Sequence, residues 1–147
     1  MDYDAVDRLR GLTMTTEIKY RTGGCLCGAV KFSVKGQMRE VIACHCGQCR
    51  KTTGNFFTAT NASTDDVAIS EDRGLGWYKS SDVAERGFCK LCGSNLFWRA
   101  FGSDTISITA GSLDGETGLH IKEHIYVADK PDWYEITDDK PQFKIWR

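Results

Sequence analysis

No stretch of the 147 residues reaches the roughly 18 consecutive apolar residues that a membrane-crossing helix needs. The first residues, Met1-Asp2-Tyr3-Asp4, lack the basic start and apolar run of a secretory signal. Both absences point to a soluble, cytoplasmic protein with no membrane partner. Charge of one sign is also missing: 19 basic residues nearly balance 20 acidic ones, for a net charge of −1. The chain therefore carries no basic footprint of the kind a phosphate backbone demands, and nucleic acid is not expected as a partner. Proline is scarce, with only Pro131 and Pro141. No linker, repeat or low-complexity tract divides the chain, and neither a Ser-His-Asp constellation nor a phosphate loop stands out. Its length suits one domain with a core of its own. Residues 1–16 are expected as a flexible N-terminal tail, with Met14 reading as a second plausible start, and residues 17–147 as a single domain.

What is present is a series of short alternating or β-branched runs: Glu17–Tyr20, Ala29–Val34, Phe56–Thr60, Val67–Ser70, Gly76–Lys79, Asn95–Arg99, Thr105–Ala110 and Lys122–Val127. Gly, Asn, Asp or Ser separates them, and no long segment of 3.6-residue period competes. The fold class is mainly β. One short helix is predicted over Gln48–Thr53, ended by Gly54 in the left-handed conformation, and a second helical turn around Pro131–Tyr134.

The seven cysteines carry the functional argument. An odd number cannot all pair within one chain, and in a reducing compartment disulfides do not persist, so metal binding explains them better. They fall into three clusters: Cys25-Leu26-Cys27, Cys44-His45-Cys46-Gly47-Gln48-Cys49, and Cys89-Lys90-Leu91-Cys92-Gly93. In an extended segment residues i and i+2 share a face, so Cys25 and Cys27 can reach one ion. Cys89 and Cys92 have the spacing of a zinc knuckle, with Gly93 free to take a positive φ behind them. Joined, these halves would make a closed four-thiolate zinc site with a structural role, although spacing alone leaves the pairing of clusters open. Cys44, Cys46 and Cys49 would then offer three thiolates and an open fourth position, as catalytic zinc sites do. Three thiolates leave a Zn²⁺ complex at about −1, a weak Lewis acid that suits soft sulfur ligands, so a thiol substrate fits better than water activation. A second closed site with His45 as fourth ligand, or a metal-free group of reduced thiols, is the alternative. If Cys44 and Cys46 share a face, His45 points away from it, so direct ligation needs a bend; lining the pocket or packing is its expected place.

Near this trio, Arg50 could offset negative charge or meet the carboxylates of a peptide-like thiol, whereas Lys51 reads as a solvated charge. Phe56 and Phe57 could wall a pocket. His120 and His124 lie on a strand-like segment and are expected to pack or be exposed, and Asp138-Asp139 to belong to a turn or tail.

The runs Gly23-Gly24-Cys25-Leu26-Cys27-Gly28-Ala29-Val30, Cys44-His45-Cys46-Gly47-Gln48-Cys49-Arg50-Lys51-Thr52-Thr53-Gly54 and Phe88-Cys89-Lys90-Leu91-Cys92-Gly93-Ser94 resemble the glutathione-dependent formaldehyde-activating enzyme (Gfa) family, also called the centromere protein V (CENP-V/GFA) domain. The resemblance covers about Tyr20 to Phe143 and includes all seven metal positions. It implies an Mss4-like fold of short antiparallel sheets clamped by a structural zinc on Cys25, Cys27, Cys89 and Cys92. It also implies a second zinc on Cys44, Cys46 and Cys49, hence two zinc ions per chain. The reaction implied is that of a carbon–sulfur lyase, the addition of the thiol of glutathione to formaldehyde. On this reading Cys44, Cys46, Cys49 and His45 are the candidate catalytic residues, Arg50 is a possible thiol-substrate contact, and the partner is a small-molecule thiol such as glutathione. Two other readings remain: a non-catalytic zinc module that binds a partner, and a redox or metal sensor that releases zinc from the three-thiolate site.

Overall fold

A computed structural model describes residues 19–147; the tail expected over residues 1–16 and the domain start at residue 17 lie outside the described residues. In chain order the strands are β1 (Tyr20–Gly24), β2 (Lys31–Lys35), β3 (Val41–Cys44), β4 (Phe57–Ser63), β5 (Val67–Glu71), β6 (Leu75–Lys79), β7 (Ala84–Cys89), β8 (Asn95–Ala100), β9 (Thr105–Thr109) and β10 (Ile121–Ile125). A single α-helix among the described residues, α1 (Gly47–Thr53), follows β3. The mainly β expectation is met. Among the described residues no helix is long and apolar enough to cross a membrane.

The strands form a three-stranded sheet of order β1-β2-β5 and a seven-stranded sheet of order β10-β3-β4-β9-β8-β7-β6. Every pairing is antiparallel except β10 with β3, which is parallel. Residues of one strand alternate between two environments. Phe32 and Val34 of β2, Ala62 of β4, Phe97 of β8, and Ile106 and Ile108 of β9 meet between the sheets as one buried core, joined by Val30, Leu96 and Cys89. Phe32 and Phe97 touch edge to face at 5.1 Å. The intervening residues of the larger sheet, among them Ile42 and Cys44 on β3, Phe57, Ala59 and Asn61 on β4, and Ser107 on β9, face the opposite way and line an open cavity.

Two strands have no counterpart among the runs read from the sequence. Strand β3, Val41-Ile42-Ala43-Cys44, is apolar at every position and so has no alternation to detect. Strand β7, Ala84-Glu85-Arg86-Gly87-Phe88-Cys89, mixes two charges and a glycine and is held by its two neighbours rather than by propensity. Helix α1 forms where expected, and Gly54 after it has φ 89°. The second helical turn is displaced: the 3-10 turn lies at Val127–Asp129, and residues 131–134 contain only a hydrogen-bonded turn. Pro131 has no N–H to give and its carbonyl accepts the Tyr134 N–H, so the segment closes on itself without continuing.

Candidate metal centres and the adjoining cavity

Two groups of sulfurs are gathered by the fold, and they are the two expected sets. Sγ atoms of Cys25, Cys27, Cys89 and Cys92 lie within 4.8 Å of one another, as do those of Cys44, Cys46 and Cys49. In the first group, Cys25 and Cys27 follow β1, and Cys89 ends β7. The group therefore ties the small sheet to the large one. Cys27 Sγ stands 3.7 Å from both Cys25 Sγ and Cys89 Sγ, close to the edge of about 3.8 Å of a tetrahedron with sulfur at about 2.3 Å from its centre. Backbone and hydroxyl donors serve these sulfurs: Val30 N–H points at Cys25 Sγ at 3.2 Å, and Ser94 Oγ is 3.2 Å from Cys92 Sγ. Hydrogen bonds from Ser94 lower the Cys92 thiol to about 5. The knuckle closes through Gly93 N–H to the Cys89 carbonyl at 2.8 Å, with Gly93 at φ 79°.

The second group sits where β3 passes into α1. Cys44 is the last residue of β3, paired with Phe57 of β4. Cys46 caps α1, its Sγ accepting the Cys49 N–H at 3.4 Å, and Cys49 is buried in the first turn. Hydrogen bonds from the Cys44 and Cys49 thiols, helped by the Cys49 and Gln48 backbone N–H groups, lower the Cys46 thiol to about 2. The same contacts push Cys44 up. At Cys49 the bond with Cys44 lowers the value, but Cys46 and burial outweigh it and the thiol is raised. Three thiols packed this closely hold one negative charge readily and resist the next two, unless a cation stands among them. The donor set thus fits a soft divalent metal.

The cavity beside these sulfurs has a volume of about 840 Å³. Its wall nearest the metal site is Phe57, Ala59 and Trp98, which pack with Cys44, Cys46 and Cys49 as one cluster. Arg86, only 8 % exposed, enters from β7. Its Nη2 lies 3.6 Å from Cys49 Sγ and donates to Gln48 Oε1 at 3.4 Å, with the guanidinium 5.8 Å from the Phe57 ring centre. Arg39 also lines the cavity: its backbone N–H donates to the Asn61 carbonyl, and its guanidinium donates to the Glu40 and Ala59 carbonyls at 3.1 and 3.5 Å. Phe57 to Asn61 spans four residues of strand, about 13 Å. Burial and the nearby Arg147 lower the Arg39 guanidinium, and Arg147 is ion-paired with the buried Glu123.

The other expected residues lie elsewhere. His45, between two cysteines that face the cavity, points to the opposite side of β3, where it is 1 % exposed among Phe56, Tyr134 and His124. Burial, with the charges of His124 and Lys130, lowers it to about 4. Its Nε2 is 2.9 Å from His124 Nδ1, and His124 Nε2 is 3.0 Å from Asp138 Oδ2. A carboxylate can only accept, so His124 Nε2–H donates to Asp138, and one hydrogen is shared between His45 Nε2 and His124 Nδ1. Arg50 does not line the cavity; it extends from α1 with its Nε buried and unpaired. The cation at the sulfurs is instead Arg86, which sequence reading missed because it is 37 residues from Cys49 on an unrecognised strand. His124 and Asp138 were seen only as packing and tail residues, since nothing local joins them.

The family model described as glutathione-dependent formaldehyde-activating enzyme matches residues 20–129. An uncharacterized lyase of Schizosaccharomyces pombe is 31 % identical over 124 residues, covering 84 % of this chain and 90 % of that protein. A Halomonas elongata protein, whose name places it provisionally among glutathione-dependent formaldehyde-activating enzymes, is 29 % identical over 78 % of this chain and 79 % of its own. A crystal structure of a Rhodobacter sphaeroides protein superposes with a TM-score of 0.55 at 23 % identity, covering 65 % of this chain and 90 % of that one, which is a likeness of fold.

Proposed function

Because the chain belongs to the glutathione-dependent formaldehyde-activating enzyme family, we propose that it is a zinc-dependent carbon–sulfur lyase that makes or splits the adduct of a glutathione-like thiol with an aldehyde. The observation that carries this reading is the three-sulfur group Cys44, Cys46 and Cys49 set in the wall of a cavity large enough for a tripeptide, with a buried arginine beside it. A zinc ion held by those three sulfurs would favour the thiolate form of a substrate thiol at neutral pH. A second zinc, on Cys25, Cys27, Cys89 and Cys92, would serve the fold.

The chain's own residues do the rest. Arg86 places one positive charge against the thiolate group, which lessens the repulsion an incoming thiolate meets. Arg39 suits the carboxylate of a peptide-like thiol, and Asn61 and Ser107 offer hydrogen bonds to its amides. Among the described residues no Asp, Glu or His lines the cavity, so the proton that moves from sulfur to the carbonyl oxygen passes through solvent or a hydroxyl. Orientation of thiol and carbonyl then supplies most of the acceleration. The test is exchange NMR on labelled formaldehyde and glutathione: the zinc-loaded protein should accelerate interconversion of free aldehyde and adduct, and Cys46→Ser should not. Interconversion at the uncatalysed rate with the folded, zinc-loaded protein refutes the proposal.

A further inference from the structure

Resting on that reading, we infer that the carbonyl partner carries a hydrocarbon substituent, so that the adduct handled here is an S-(1-hydroxyalkyl) thiol larger than the one-carbon adduct of formaldehyde. The argument starts from what surrounds the three sulfurs. Ile42 lies two residues before Cys44 on the same face of β3, and Ala59 is its partner across the strand pair. Trp98 and Phe57 close the wall, and Ile125 of β10 adjoins it. None of these side chains presents a charge or an acceptor. The small side chains of Ala59 and Ala84, both facing inward, leave room in front of the wall. At about 840 Å³ the cavity is near the upper end of the usual range for small-molecule pockets, about 300–1,000 Å³.

A glutathione-like thiol cannot cover this wall. Its two peptide bonds, amine and carboxylates need polar partners, which the cavity offers at Arg39, Asn61, Ser107 and Gln48 and not on the wall side chains themselves. The one carbon of formaldehyde adds almost no apolar surface either. Burying a hydrocarbon chain against Ile42, Ala59 and Trp98 would expel water from them, and the chain must enter on the carbonyl carbon, since that carbon is bonded to the sulfur held at the wall. The chemistry balances without any oxidant: the S–C bond forms, the carbonyl π bond breaks with its electron pair going to oxygen, and that oxygen takes the proton lost by the thiol. Splitting the adduct is the reverse.

Stable thioethers test this without turnover. Isothermal titration of the zinc-loaded protein with glutathione, S-methylglutathione, S-butylglutathione and S-hexylglutathione should show affinity rising along the alkyl series. The hexyl form should bind about tenfold or more tighter than the methyl form, a conservative fraction of what full burial of the added methylenes would give. Ala59→Leu, which fills the space before the wall, should bring the hexyl-to-methyl ratio toward one. If that variant fails to fold, the wild-type series decides by itself. Equal or weaker binding of the hexyl form, with glutathione still bound, overturns the inference and leaves the thiol–aldehyde reading standing. Absence of binding by glutathione and all its thioethers overturns both.

Discussion

His45 Nε2 lies 2.9 Å from His124 Nδ1, with both rings 1 % exposed. This contact joins the loop that carries Cys44 and Cys46 to β10, and through Asp138 to the C-terminal segment, which also bonds to β10 by His124 N–H to the Pro141 carbonyl and Phe143 N–H to the His124 carbonyl. Replacing His124 with Leu removes the partner of His45 Nε2 and leaves that buried nitrogen without a hydrogen bond. A loss of about 1–3 kcal/mol in unfolding free energy is expected, measured by urea denaturation of the zinc-loaded protein.

Acid sensitivity should report the other end of the chain. The hydrogen bond from His124, with the Lys140 N–H, holds the Asp138 carboxyl below its ordinary value of 3.8. A carboxyl with a depressed folded value stabilises the fold above its unfolded value and loses that contribution as pH falls through the folded one. Wild type should therefore lose stability below pH 3.8 more steeply than Asp138→Asn. Chemical denaturation at pH steps from 5 to about 2.5 gives the two slopes, and identical slopes would remove Asp138 from the account.

Arg86 and Arg50 make opposite predictions. Arg86→Met removes the guanidinium beside Cys49 and should weaken binding of glutathione by about ten- to a hundredfold, the scale of a lost charge-assisted hydrogen bond. Arg50→Ala, at a residue off the cavity, should change it less than about twofold, within the usual effect of a substitution away from the contact. Calorimetric titration of both variants checks the pair.

The two cysteine groups should separate cleanly. Cys46→Ser should cost one zinc per chain and leave a cooperative unfolding transition. Cys92→Ser should lose the transition, because the four-sulfur group joins two sheets and its metal affinity is coupled to folding. Zinc stoichiometry by mass spectrometry, with melting curves of the same samples, distinguishes the two.

Gly74 tests how tightly the structural group is held. A Cβ added there would stand 2.8 Å from Cys89 Sγ and 2.7 Å from Ala29 Cβ, and both neighbours are fully buried. Gly74→Ala should destabilise by about 1–3 kcal/mol and weaken retention of the first zinc against a chelator, relative to wild type.

How much could be read in advance depended on whether the signal was local. Cys44, Cys46 and Cys49 stand within six residues, and Gly54 closes α1 four residues after Arg50, so both the trio and the helix were legible. Strand β7 was not, because Glu85, Arg86 and Gly87 are poor strand formers kept in line by β6 and β8. The same failure concealed Arg86 as a site residue.

The sequence by itself determined the mainly β class from its short strand-like runs, and the resemblance of its cysteine motifs implied the family and the grouping of the sulfurs, because these signals are local in the chain. Only the tertiary structure decided where the charges and rings went. It put Arg86 rather than Arg50 beside the sulfurs. Local alternation already turned His45 away from them, and the tertiary structure decided what it meets there, His124 and through it Asp138. It also opened a largely apolar wall beside the metal site, assembled from β3, β4, β8 and β10. These are contacts between residues far apart in the chain, made when sheets pair and pack, and no local pattern encodes them.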